Sequence, residues 1–157
     1  MKPRRQFIVT ILLLCLLTIP SLLYADISPP FCAASKTLDQ IVKEAKTTIK
    51  ELTPGDVKKM LDTKENLILL DVRDQHEFAD GFIPGAINIS RGSLEFRVSM
   101  IIPDKSTKIV VYCGLDLRSP LAVKTLNELG YINAVNMIGG LKEWKNIGYP
   151  VSYPNKP

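Results

Sequence analysis

Histidine and cysteine are scarce in this chain: there is one of the former, His76, and three of the latter, Cys15, Cys32 and Cys113. His76 falls in a short helical stretch after Asp71 and reads as a surface residue; no metal site is assigned to it or to the cysteines. Charge of one sign is missing too, once the first 25 residues are set aside. The whole chain carries +4, but Lys2, Arg4 and Arg5 lie in that leader and no acid does, so the remainder carries +1. Such a balance gives no electrostatic basis for binding nucleic acid or an acidic membrane. There is no internal repeat and no low-complexity run. At 157 residues the chain has room for one domain with a real core.

Long apolar runs are confined to one, Phe7 to Leu17. It follows the positive Lys2, Arg4 and Arg5, is broken by Pro20 and Ser21, and leads to Leu23-Tyr24-Ala25. That layout predicts a secretory signal peptide over residues 1–25, cut after Ala25. The run is short for a span of ~20 residues. Pro3 to Phe7 faintly resembles a twin-arginine signal, but the strongly apolar run points to the general secretory route. Neither Cys15 nor Cys32 follows a lipoprotein pattern. The expectation is an exported protein, periplasmic or secreted, with no membrane attachment after cleavage. Cys15 leaves with the signal. Cys32 follows the Pro-rich Ser28-Pro29-Pro30-Phe31 and reads as an incidental or weakly redox-active thiol, with pairing to Cys113 left open.

From Ser35 to Glu51, apolar residues recur at helical spacing (Leu38, Ile41, Val42, Ala45, Ile49, Leu52), which predicts an amphipathic helix capped by Ser35 or Thr37. Thr53-Pro54-Gly55-Asp56 starts another helix, with Thr as cap and Pro in the first turn. Leu67 to Leu70 reads as a central parallel strand, ending in Asp71-Val72-Arg73. A short helix over 74–79, a Gly-Pro-Gly turn and a strand near Ala86–Ile89 follow. Arg91 to Ile102 forms a helix that turns Leu94, Phe96, Val98, Ile101 and Ile102 inward. Ile109 to Tyr112 is a buried strand, Arg118 to Leu129 a helix closed by Gly130, Ala134 to Met137 a strand, and Leu141 to Ile147 a helix bearing Trp144. Strands alternating with helices predict an α/β fold, a mostly parallel sheet with helices on both faces. The division expected is 1–25 leader, 26–50 linker and N-terminal helix, 51–151 domain, 152–157 tail.

The chemistry concentrates between Lys108 and Ala122. Cys113 ends a strand, and Arg118 opens a helix five positions on. A loop this short turns backbone N–H groups toward its centre, and the next helix aims its positive end there. A sulfur over such a cradle is favoured as thiolate, the nucleophilic form. In parallel sheets ligands bind at the carboxyl ends of strands, where both Asp71-Val72-Arg73 and Cys113 fall.

These residues resemble the rhodanese family: Leu70-Asp71-Val72-Arg73, then Glu77-Phe78, Gly81 and Ile83 to Asn88, the Cys113-x4-Arg118-Ser119 loop, and Gly139-Gly140-Leu141 with Trp144, in the family's order over residues 51–151. The resemblance implies a rhodanese-like three-layer domain that moves sulfane sulfur without a cofactor. Cys113 is the implied nucleophile. Gly114, Leu115, Asp116, Leu117, Arg118 and Ser119 form the implied substrate loop, with Arg118 anchoring it and attracting an anionic donor. Asp71, Arg73, Gly139 and Gly140 are implied supports. The implied partners are a small sulfur donor such as thiosulfate and a thiol or cyanide acceptor, a protein acceptor included. One departure stands out: the loop's fourth position, commonly glycine, is Asp116, and Phe82 replaces a frequent histidine. A carboxylate beside the sulfur would disfavour the thiolate and repel a dianion. The alternative is therefore a sulfur-carrier or partner-binding module with weak thiosulfate activity. Related phosphatase loops place five residues between Cys and Arg, against four here.

Overall fold

In a computed structural model the described residues are 35–154. The leader, Cys15 and Cys32 lie outside them. Twelve elements alternate along the chain: α1 (Leu38–Lys46), β1 (Lys50–Leu52), α2 (Pro54–Asp62), β2 (Ile68–Asp71), α3 (Gln75–Ala79), β3 (Ile87–Asn88), a 3-10 turn (Arg91–Ser93), α4 (Leu94–Ile101), β4 (Ile109–Tyr112), α5 (Arg118–Glu128), β5 (Ala134–Met137) and α6 (Gly140–Asn146). The five strands form one parallel sheet in the order β1-β5-β4-β2-β3. No helix among the described residues is long and apolar enough to cross a membrane.

β4 occupies the centre. All four of its residues are buried, which suits its unbroken Ile-Val-Val-Tyr run. Alternation then sends its side chains to opposite layers. Ile109, Val111 and Cys113 join Leu70, Val98, Ala122 and Leu126, packed under α4 and α5. Val110 and Tyr112 join Leu69, Val57, Leu141 and Trp144, packed under α2 and α6. Each fully buried aliphatic side chain contributes roughly 1.5–3 kcal/mol. Helices on both faces of the sheet therefore hold the strand that leads to Cys113 from either side.

Local signals set several ends. The Thr53 hydroxyl oxygen accepts a hydrogen bond from the Asp56 amide at 3.1 Å, and the Asp56 carboxylate accepts one from the Thr53 amide, so α2 starts where the Thr-Pro pair predicts. Thr37 and Gln40 do the same for α1.

The structure corrects the sequence reading at α1. Its helix stops at Lys46, and Lys50–Leu52 departs to pair with β5 as an edge strand. The Thr47 and Thr48 hydroxyls bond back to the carbonyls of Glu44 and Ala45, competing with helix continuation, and β5 offers an open edge to the extended segment. Val42 and Ala45 are buried and α1 packs on α5, while Leu38 and Ile41 stay exposed. Phe96 and Ile101, expected inside, are also exposed, because α4 covers the sheet with a narrower face.

Candidate active site

Cys113 follows directly on the last residue of β4 and is 1% exposed. Its Sγ accepts a hydrogen bond from the Ser119 hydroxyl at 3.4 Å, and Ser119, in the first turn of α5, is fully buried. Among the described residues the backbone amides of Gly114 to Leu117 donate to no protein acceptor. They remain available to an anion over the sulfur, together with the positive end of the eleven-residue α5. A depression of about 240 Å3 opens there, lined by Leu38, Cys113, Leu115, Leu117, Arg118 and Leu121.

The loop is shaped by Asp116, whose φ is +63°, in the left-handed region. Aspartate is among the few L-residues that visit this region readily, which accounts for its standing where a glycine was expected. Its carboxylate does not line the depression. It receives the Lys46 ammonium of α1 at 2.5 Å and the Asn136 side-chain amide of β5 at 2.7 Å. Asn136 also donates to Glu51 at 2.8 Å. Burial alone would lower the Lys46 pKa, but the Asp116 hydrogen bond and charge, with Glu51 adding, raise it above its ordinary value. The Asp116 carboxylate is thus buried, paired with a cation and turned toward α1 and β5.

Arg118 is similarly committed. Its two terminal nitrogens donate to Glu77 of α3 at 2.6 and 2.8 Å, and Asp74 lies 3.7 Å away. This fork holds the Glu77 carboxyl at about 2, with burial opposing, and it raises the Arg118 pKa. Arg118 thus ties the start of α5 to α3, and its charge is compensated by Glu77.

A second network fixes the end of β2. Arg73 donates to Asp71 from Nε at 3.1 and 3.0 Å and from Nη2 at 2.5 Å, and it spans to the Glu77 and Gly81 carbonyls at 2.9 and 2.8 Å. Burial alone would lower the Arg73 pKa, but the Asp71 hydrogen bond and charge, with Tyr112 and Glu77 adding, raise it above its ordinary value. The Asn88 amide ties β3 to the Asp71 and Arg73 carbonyls, each at 2.9 Å. Asp71 and Arg73 therefore brace strand end, α3 and turn, and α3 in turn holds Arg118.

The α6 side closes the loop from below. Leu141 and Lys142 donate backbone hydrogen bonds to the Cys113 and Gly114 carbonyls at 2.7 and 3.1 Å. Gly140 has φ +59°, and a Cβ there would lie 2.4 Å from the Cys113 oxygen. Only glycine admits this approach. Trp144 is fully buried and donates to the Pro150 carbonyl at 2.8 Å. His76 is exposed on α3.

The loop Gly114–Ser119 therefore surrounds Cys113, with Asp71, Arg73, Gly139 and Gly140 in its supporting elements. Lys46, Asn136, Leu38 and the Glu77 role went unread in the sequence. Glu77 had a signal in its place beside Phe78, four residues after Arg73. Lys46, seventy residues before Asp116, had none.

A buried cysteine followed by a short loop at the carboxyl end of a parallel sheet is the arrangement on which the comparisons bear. Residues 53–147 match the rhodanese-like domain model, and the chain belongs to that family. It is 34% identical over 97 residues to the putative sulfurtransferase YtwF of Bacillus subtilis, covering 62% of this chain and 91% of that one. It is 30% identical over 106 residues to a sulfurtransferase of Allochromatium vinosum, covering 68% and 97%. The match to a putative sulfur carrier protein of Bacillus subtilis spans 54% of that protein. A Rhodopseudomonas palustris structure of unknown function, described as a possible tyrosine phosphatase, superposes with TM-score 0.70 at 30% identity, covering 75% of this chain and 96% of that one. Sulfur transfer in general is the activity that the sulfurtransferase relatives support.

Proposed function

We propose that the chain is an exported sulfurtransferase working through a Cys113 persulfide. The observation that carries this reading is the pairing of a buried sulfur, hydrogen-bonded by Ser119, with a loop whose amides are unengaged. The Cys113 thiolate attacks the outer sulfur of a sulfane donor. The bond from that sulfur to the rest of the donor breaks, and the leaving group takes the electron pair; from thiosulfate it is sulfite. The persulfide anion then lies among the amides of Gly114 to Leu117, where fixed dipoles stabilise it without a general base. A thiol or cyanide attacks the outer sulfur, and Cys113 returns as thiolate, so turnover is ping-pong.

The Lys46 pairing removes the objection that Asp116 raised against activity. Export rests on the leader over residues 1–25, and periplasm is the compartment it fits best. The test is to incubate the protein with a sulfane donor and measure intact mass, then thiocyanate after adding cyanide. One added sulfur on Cys113, absent in Cys113→Ser, is expected; no adduct with any sulfane donor would overturn the reading. Phosphatase chemistry predicts cleavage of an aryl phosphate, which the four-residue spacing between Cys113 and Arg118 argues against.

A further inference from the structure

The side chains that line the depression over Cys113 are mostly apolar. Four of its six lining residues are leucines: Leu38 from α1, Leu115 and Leu117 from the loop, Leu121 from α5. Leu115 is 60% exposed and Leu38 is 55% exposed, so apolar surface stands open to solvent around the nucleophile. Arg118 is its one charged lining residue among those described, and both terminal nitrogens are held by Glu77 with Asp74 in reach. The adjoining depression along α1, about 370 Å3, carries Asp39, Lys43, Lys46 and Asp116, two acids against two bases. With Arg118 held by Glu77 and the charges of the second depression balanced, neither offers an unpaired excess of cations. Leu38 also precedes the residues 53–147 that match the family model, so this wall of the mouth is supplied from outside that match.

We propose that the acceptor of the Cys113 sulfane sulfur is an uncharged organic thiol with an apolar body, an alkyl or aryl thiol, seated on the leucine collar. This rests on the persulfide reading above. In the step, the thiol loses its proton to solvent and its sulfur attacks the outer sulfur of Cys113–S–S⁻. A new sulfur–sulfur bond forms, the bond to Sγ breaks, and its electron pair returns to Cys113. The product is an organic persulfide, and no oxidant or reductant is consumed. The collar favours this step because each methylene it removes from water favours binding by about fourfold. A sulfonate or dicarboxylate on the same thiol would surrender hydration with no free cation to receive it.

The experiment loads Cys113 with sulfur from inorganic polysulfide, removes the excess, and follows loss of the added sulfur by intact mass in single turnover. The acceptors are ethanethiol, propanethiol and butanethiol, with 3-mercaptopropanesulfonate as the charged counterpart, all compared at equal thiolate concentration. The rate is expected to rise by up to about fourfold per carbon, and the sulfonate to fall at least tenfold below propanethiol. Leu38→Ser, on an exposed position of α1, should flatten the alkyl series, and a series as steep as in wild type would overturn the role of the collar. Equal rates across the series on a fully loaded persulfide, or a sulfonate as fast as propanethiol, would overturn the inference alone and leave the collar to a protein partner. Failure to load Cys113 at all would overturn the persulfide reading and the inference with it.

Discussion

The Lys46 ammonium of α1 lies 2.5 Å from the Asp116 carboxylate, joining the first described helix to the middle of the Cys113 loop. Asp116 is 9% exposed, so its charge depends on this partner and on Asn136. A helix that precedes the 51–151 domain of the sequence division supplies a wall of the depression and a charged contact to its loop.

Lys46→Met should destabilise the protein by about 1–3 kcal/mol, because a buried carboxylate loses its charged hydrogen bond. Adding Asp116→Asn should recover part of that loss, since the two changes are coupled. Urea unfolding of the two single variants and the double variant checks this; simple additivity would refute the coupling. Asp116→Gly, which keeps the left-handed conformation, should be more stable than Asp116→Ala by about 1–2 kcal/mol.

Gly140→Ala places a Cβ 2.4 Å from the Cys113 carbonyl oxygen at a backbone φ of +59°. Backbone cannot yield there without moving the loop. A loss of about 2 kcal/mol or more is expected, visible as a lower melting temperature, and sulfur loading should fall with it. An unchanged melting temperature would mean that α6 does not brace the loop as described.

Ser119→Ala removes the one side-chain hydrogen bond to Sγ among the described residues and leaves a small apolar residue in its place. Stability should change by less than about 1.5 kcal/mol. The rate of persulfide formation should fall about three- to tenfold, the equivalent of roughly 0.7–1.4 kcal/mol. Stopped-flow loading of Cys113 measures it. A rate equal to wild type would show that the hydroxyl serves packing alone.

Glu77 gives the acid side of the stability profile. Its carboxyl is held at about 2 by the Arg118 fork, below an ordinary value of 4.5. A depressed folded-state pKa contributes stability that is complete above the unfolded value and is lost as pH falls toward the folded one. Stability should therefore decline between about pH 4.5 and 2, and the decline should be shallower in Glu77→Gln. Chemical unfolding at a series of pH values compares the two; parallel curves would show that the fork contributes nothing.

Much of this was legible along the chain. Thr53-Pro54 announces α2, the Ile109–Tyr112 run announces the central strand, and Cys113 with Arg118 five residues on marks the loop. These signals are local: caps, apolar runs and close spacing act within a few residues. The three-residue β1 was hidden inside a helical pattern, because its partner β5 lies more than eighty residues on. Phe96 looked like core by periodicity, and no local rule reveals that α4 presents it to solvent.

By itself the sequence determined the alternation of strands and helices, the carboxyl-end placement of Cys113 and the nature of the loop that follows. Only the tertiary structure decided what Asp116 and Arg118 do with their charges. Lys46 and Glu77 reach them from distant parts of the chain, and a buried charge is defined by the partner that neutralises it. The same folding brings Leu38 to the mouth of the Cys113 depression, where an apolar wall takes the place that a free cation would need.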